Sequence, residues 1–92
     1  MELTWDEEKR RSNLAKHGLD FADAEAVFHG AVLIFEDQRR TYGEQRFLAL
    51  GALQEIVVVV AFTEPEEDLL RIISMRKAIR SEQEIYFDQL AD

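Results

Sequence analysis

The sequence predicts an α+β domain: two N-terminal helices, a four-stranded antiparallel sheet and a C-terminal helix. Three observations carry that expectation. Residues 4–30 hold two capped segments with apolar residues at helical spacing or a polar face at that spacing. From Ala31 the pattern switches to alternating or β-branched runs joined by short polar connections. After Ala78 helical spacing returns behind another cap. Ninety-two residues leave room for one small domain, taken as residues 1–92.

The first helix is expected from about Trp5 to His17. Thr4-Trp5-Asp6-Glu7 has the form of a capping box, and Asp6, Glu7 and Glu8 suit the positive end of a helix dipole. Lys16 and His17 suit the negative end, and Gly18 is a good residue for the left-handed position after it. Asp6, Lys9, Asn13, Lys16 and His17 form one polar face, while apolar content is limited to Trp5, Leu14 and Ala15. Such a helix is either a solvated surface element or presents its polar face to something. Asp20 is a candidate N-cap for the second helix, whose Phe21, Ala24, Val27 and Phe28 would face the core before Gly30 ends it.

The predicted strands follow in order. Ala31–Phe35 is the first. A polar loop, Glu36–Gly43, holds Arg39, Arg40 and Tyr42. Glu44–Gly51 sets Gln45, Phe47 and Ala49 against Arg46, Leu48 and Leu50. Glu55–Thr63 has the β-branched density of a strand buried on both faces. Glu64–Asp68 is expected as a turn, because Pro65 cannot sit in a central strand. Leu69–Ala78 is the fourth strand. Strict alternation there puts Arg71, Ile73 and Met75 on one face and Ile72, Ser74 and Arg76 on the other. Ser81-Glu82-Gln83-Glu84 then reads as a capping box for a last helix with Ile79, Tyr86, Phe87 and Leu90 as its apolar stripe.

Composition narrows the function classes. There is no cysteine, so neither a disulfide framework nor a thiolate-rich metal site is expected, which fits a reducing cytoplasm. The N-terminus lacks the apolar segment of a signal peptide, and the longest apolar run, Ile56–Phe62, is too short to span a bilayer, so no membrane association is expected. The net charge of −8 opposes direct nucleic-acid binding, and no helix combines a basic face with recognition-helix spacing. The charge is uneven, however. Residues 20–38 carry −5 and residues 81–92 carry −4, whereas residues 1–19 and 64–80 are balanced. Four of the 11 Lys and Arg residues fall between 71 and 80. Arginines in an apolar strand are expensive unless paired or aimed into a cleft. Pairing with a carboxylate is the commoner arrangement; a cationic floor for phosphate is the functional one.

Three sequence elements together carry a resemblance. Trp5-Asp6, Lys9, Asn13 and Lys16-His17-Gly18 match a W-D-x-x-K-x-x-x-N-x-x-K-H-G pattern, with Phe21 and Ala24 following. Glu44-Gln45-Arg46 matches an E-x-R element. Arg71-Ile72-Ile73-Ser74-Met75-Arg76-Lys77-Ala78 matches R-I-I-S-A-R-x-A, with Glu84 and Tyr86 in the closing helix; Met75 departs from the usual alanine. In this order and spacing they resemble the BrnT family of type II toxins over nearly the whole chain. The resemblance implies a RelE-like fold and a ribonuclease toxin acting on RNA. It further implies neutralisation by a cognate ribbon-helix-helix antitoxin, contact with operator DNA only through that antitoxin, repression of the shared operon, and an antitoxin-bridged heterotetramer. A homodimer through an exposed strand at Ala31–Phe35 is the other assembly.

Metal-independent RNA cleavage needs a base near the 2′-hydroxyl, cations for the developing phosphorane charge and an acid for the leaving oxygen. No cofactor is expected, and two scattered histidines do not suggest a metal cage. Arg71 and Arg76 are the expected charge stabilisers, joined by Arg46, because guanidinium forks phosphate and stays ionised. Glu44 either orients Arg46, acts as base or is a plain ion-pair partner. His17 is the candidate acid or base that titrates near neutrality, or a helix-end cation. Lys9, Lys16, Lys77 and Arg80 are candidates for tracking RNA phosphates, and Tyr42 for stacking on a base. A catalytically inactive interaction module, acting as corepressor with an antitoxin, is the alternative reading.

Overall fold

A computed structural model describes residues 1–39 and 41–90; Arg40, assigned above to the polar loop, lies outside the described residues. The elements are β1 (Glu2–Trp5), α1 (Glu7–His17), a single 3-10 turn (Phe21–Asp23), α2 (Ala24–His29), β2 (Val32–Glu36), β3 (Phe47–Leu53), β4 (Ile56–Glu66), β5 (Leu69–Lys77) and α3 (Arg80–Leu90). They form one mixed sheet in the order β1-β5-β4-β3-β2, with β1 parallel to β5 and the other pairs antiparallel. The α+β class holds, but the sheet has five strands where the sequence suggested four, and it is not purely antiparallel.

The extra strand explains the first correction. Thr4 is not a helix cap; it lies in β1 opposite Arg71. Leu3 and Trp5 pack on the core while Glu2 and Thr4 face away, an alternation too short to register in the sequence. The cap is Asp6, whose Oδ1 accepts the backbone N–H groups of Glu8 at 2.9 Å and Lys9 at 3.1 Å. Gly18 ends α1 in the left-handed conformation (φ 72°), as expected. Arg10 ties α1 to the turn that follows, bonding Glu7 at 2.6 Å and Asp20 at 3.1 Å. The hydrogen bonds from Arg10 lower the Glu7 pKa to about 2.

Two layers of packing sandwich the sheet unequally. On one face, Leu19, Phe21, Ala24 and Val27 cover Ala49, Val58, Val60, Phe62, Leu70, Ile72 and Met75. On the other, α3 supplies Tyr86 to a smaller cluster of Leu50, Val57, Val59 and Ala78, and the rest of that face stays open. Gly51 is a strand residue rather than a strand end: β3 continues to Leu53. A Cβ at Gly51 would lie 2.7 Å from the Val27 side chain, so glycine there sets how closely α2 approaches the sheet.

The register of β5 overturns the alternation expected for it. Ala61 pairs with Ser74 and Phe62 with Ile72, so Ile73 is the extra residue of a β-bulge. Ile72 and Met75, three positions apart, therefore both enter the main core, at 1% and 0% exposure. Arg71 and Arg76, an odd five positions apart, come to share the opposite, open face, where regular alternation would separate them. A second register shift lies between Thr63 and Glu66. It accommodates Pro65 within β4, so the turn is confined to Glu67-Asp68 and not spread over 64–68.

On the side away from β4, the far half of β5 lacks a neighbouring strand, since β1 pairs only as far as Ile72. Asn13 of α1 takes that place. Its amide donates to the Met75 carbonyl at 2.9 Å and the Leu19 carbonyl at 3.2 Å, and its Oδ1 accepts the Met75 N–H at 3.1 Å. The polar face of α1 thus meets a strand edge. Asn13→Ala leaves these buried backbone groups without partners, and we expect it to cost about 3 kcal/mol. Urea unfolding will show this as a lower midpoint at unchanged slope.

Candidate active site

The open face of the sheet gathers charged side chains from three directions. From β5 come Arg71 and Arg76. From the edge of β3 comes Arg46, which precedes Phe47, the partner of Phe62; Thr63 follows Phe62 and pairs with Arg71. Arg46, Thr63 and Arg71 therefore flank a single rung of the ladder. From the loop between β2 and β3 come Asp37, Arg39, Tyr42 and Glu44.

Asp37 organises that loop. Its side chain is only 2% exposed, and its backbone N–H donates to the Arg46 carbonyl at 2.8 Å, extending the β2–β3 ladder. Its carboxylate accepts Arg39 Nε and Nη2, both at 2.8 Å, the Arg39 N–H at 3.2 Å and the Tyr42 hydroxyl at 3.0 Å. The hydrogen bonds from Arg39 hold this carboxyl far below the usual carboxylate range. Tyr42 in turn lies beneath Arg46, whose guanidinium carbon is 4.1 Å from the ring centroid. Its face is committed within the protein.

Glu44 sits between two arginines. Its carboxylate accepts Arg71 Nη2 at 3.1 and 3.0 Å and lies 3.5 Å from Arg46 Nη2. Glu44 and Arg46 are not on a regular strand, because β3 begins at Phe47. They nevertheless reach the same side. Arg71 is 46% exposed, so the pair lies at an open surface.

Arg76 anchors the other end of the face. It forks Glu82 with two bonds of 2.8 Å and is 32% exposed. The hydrogen bonds between them raise the Arg76 pKa and lower that of Glu82. Glu82 also accepts the Ile79 N–H at 2.9 Å. It closes the cap of α3 two residues earlier than the sequence suggested, leaving Glu84 to an exposed pairing with Arg80 at 3.4 Å. Beside Arg76, a cleft of about 410 Å³ is lined by Lys16, His17, Arg76, Lys77 and Ile79. Asn13 puts it there, since Lys16 and His17 lie one turn beyond Asn13 on the same side of α1.

The candidate residues thus divide into two groups. Glu44, Arg46, Arg71 and Tyr42 meet at one end; Lys16, His17, Arg76 and Lys77 meet at the other. Five strand residues set the Arg71 and Arg76 backbone positions roughly 15 Å apart. Lys9 is exposed on α1 and lines neither, and Arg80 projects from α3 into solvent. Both strand arginines carry carboxylate partners, as the structural reading anticipates, yet neither is sealed from solvent. Asp37, Arg39, Thr63 and Glu82 were not singled out from the sequence; only the i, i+3 spacing of Ile79 and Glu82 offered a readable signal. Met75 points into the core, away from this face, so its departure from alanine leaves the polar positions undisturbed. An apolar cleft of about 350 Å³ between Phe28, Ile34, Phe47 and Leu70 holds none of the candidate residues. Among the described residues no helix is long and apolar enough to cross a membrane.

Comparison with known proteins gives a family and a similar structure. A family model described as ribonuclease toxin, BrnT, of type II toxin-antitoxin system matches residues 5–82, from the end of β1 to Glu82. The chain is also similar to the 1.1 Å-resolution crystal structure of the Brucella abortus ribonuclease toxin, BrnT. Identity is 37% and the TM-score 0.69, over 87% of this chain and 99% of that one. No curated protein matches.

The two depressed carboxylates of this face give a pH expectation. Asp37 and Glu82 hold protons more weakly folded than unfolded. Their stabilisation is complete above the ordinary carboxylate pKa near 4 and is lost as pH falls below it. Asp37→Asn and Glu82→Gln should each lower Tm at pH 7, the former by about 2 kcal/mol of stability. Each should also flatten the acid-side fall of Tm, read from thermal melts between neutral and acidic pH.

Proposed function

The chain belongs to the BrnT family of ribonuclease toxins of type II toxin-antitoxin systems, and from that premise we propose that it cleaves RNA, without metal, on the open face of its sheet. The observation that carries this reading is the bulge at Ile73. It aligns Arg71 and Arg76 on the less covered face, with Arg46 beside Arg71.

The chemistry is assigned to the Glu44 end. There a carboxylate and two guanidinium groups converge, the arrangement needed to take a proton from a 2′-hydroxyl while holding charge on phosphorus. The 2′-oxygen attacks the adjacent phosphorus, the P–O5′ bond breaks, and the proton taken by Glu44 is balanced by one delivered to the leaving oxygen from solvent. Arg71 and Arg46 bind the non-bridging oxygens. His17 lies with Arg76 at the other end, too far to act on the same phosphate. With Lys16, Arg76 and Lys77 it holds the strand two or three nucleotides away. Lys9 and Arg80 contribute only long-range attraction, and the ring of Tyr42 supports Arg46 in preference to stacking on a base.

The type II system supplies a protein antitoxin. We take it to be of the ribbon-helix-helix class, with operator DNA contacted through it and the complex repressing its own operon. A second reading, an inactive corepressor, draws on one specific observation: the ion pairs of Arg71 with Glu44 and of Arg76 with Glu82 occupy the groups that RNA would need.

Purified protein assayed on RNA in EDTA separates the two readings, and cleavage is expected. Arg71→Ala should lower kcat by roughly 100-fold with folding intact. Arg76→Ala combined with Glu82→Gln, which leaves no carboxylate stranded, should chiefly raise KM. The opposite split would move the chemistry to the His17 end, and intact activity in both variants would remove the open face from the mechanism.

A further inference from the structure

We propose that Arg46, Thr63 and Arg71 form an oxyanion-binding subsite, and that Glu44 is its resident occupant in the free protein, displaced when a phosphate group arrives. The idea rests on the nuclease reading for its biological ligand; the subsite itself is argued from two features of the geometry.

The first is a pair of unsatisfied polar atoms. Thr63 is 4% exposed, and its Oγ1 has no hydrogen-bond partner among the described residues. The same is true of the buried Arg46 Nε. Buried polar groups without partners are uncommon and costly, so each calls for a cause. These two flank the same rung of the sheet, and Thr63 points to the face of its strand partner Arg71. Thr63 and Arg71 also line one cleft of about 180 Å³ with Glu44, Gln45, Phe47, Glu64 and Pro65. Arg46 lines the adjoining cleft, and Glu44 and Gln45 line both, so the Glu44 carboxylate stands where the unbonded hydroxyl, the unbonded guanidinium N–H and the second guanidinium come nearest to one another. An anion with several acceptor oxygens would satisfy all three.

The second feature is how Glu44 binds. Its carboxylate reaches Arg71 through Nη2 alone and approaches Arg46 through Nη2 at 3.5 Å. This is neither the two-nitrogen fork that Arg76 makes with Glu82 nor the one that Arg39 makes with Asp37. The carboxylate shares two guanidinium groups without matching either. It leaves Arg46 Nε and Thr63 Oγ1 unbonded. A tetrahedral phosphate has oxygens to spare for each. Exposed ion pairs of this kind contribute little, so displacement is easy. The freed carboxylate then stands beside the bound phosphate, where a base for the 2′-hydroxyl is required.

The test titrates inorganic phosphate into the whole chain and follows the arginine Nε–H signals by NMR. Glu44→Gln should tighten phosphate binding by about three- to fivefold. Glu64→Gln removes the same charge from the same cleft without removing the occupant, and should tighten it less. Thr63→Val should weaken binding by roughly tenfold, the loss of one hydrogen bond to a charged group. Its Tm should be unchanged or higher, because an unsatisfied hydroxyl is replaced by a methyl of similar shape. Equal tightening by Glu44→Gln and Glu64→Gln, or wild-type affinity in Thr63→Val, would overturn the proposal. If phosphate behaves as expected but RNA is not cleaved, the nuclease reading fails while the subsite stands. If RNA is cleaved but phosphate binding ignores Glu44 and Thr63, the subsite fails while the nuclease stands.

Discussion

The arrangement of this molecule depends on one side chain acting as a strand. Asn13 offers β5 the donor and acceptor that a sixth strand's backbone would offer, and does so from a helix. That exchange covers the β5 edge beyond the end of β1, holds a polar helix on an edge it could not grip by apolar packing, and fixes the rotation of α1. Lys16 and His17 face the end of β5 because Asn13 cannot turn away without stranding Met75. A helix whose apolar residues amount to so little is ordered here by hydrogen bonds and ion pairs, with Arg10 bridging Glu7 and Asp20 on its other flank.

The bulge at Ile73 does for β5 what Asn13 does for α1. One inserted residue changes which side chains face the core and which face outward. Both Ile72 and Met75 go inward, where each is almost wholly enclosed. Both arginines go outward, where carboxylates steady them without closing over them. The acidic chain thereby concentrates guanidinium groups on a single surface. The net charge of −8 is carried mostly by the segments 20–38 and 81–92, and Asp37, Glu44 and Glu82 temper the basic surface locally. Matching of this sort suits a surface that engages polyanions only when their phosphates are positioned to compete.

Much of the fold was legible because local rules and tertiary structure agree. The β-branched density of Val57–Val60 announces the central strand, Gly18 the end of α1, and Asp20 the start of the next turn. Elsewhere a local signal competed with a longer-range one. Thr4 has capping chemistry, but Asp6 has it too and lies nearer the helix, which frees Thr4 for β1. The bulge left no trace because Ile72, Ile73 and Met75 are all apolar, so no residue type marks the change of phase. Of the site, the strand arginines, Arg46, Glu44 and the Lys16-His17 pair were readable as motif residues. Their division into two groups was not, since it depends on how far apart positions 71 and 76 stand along a strand. Asp37 escaped notice because a carboxylate in a polar loop looks solvated until the loop folds back over it.

The two margins of the sheet differ in length and protection. β1 offers four residues before α1 turns across the strand beside it, whereas β2 leaves a five-residue backbone ladder uncovered, with Ile34 and Phe35 exposed beside it. Strand addition from outside is therefore directional. Two copies meeting along β2 would turn only their short β1 margins outward. The same asymmetry would leave such a couple only four-residue edges, poor templates for a third chain.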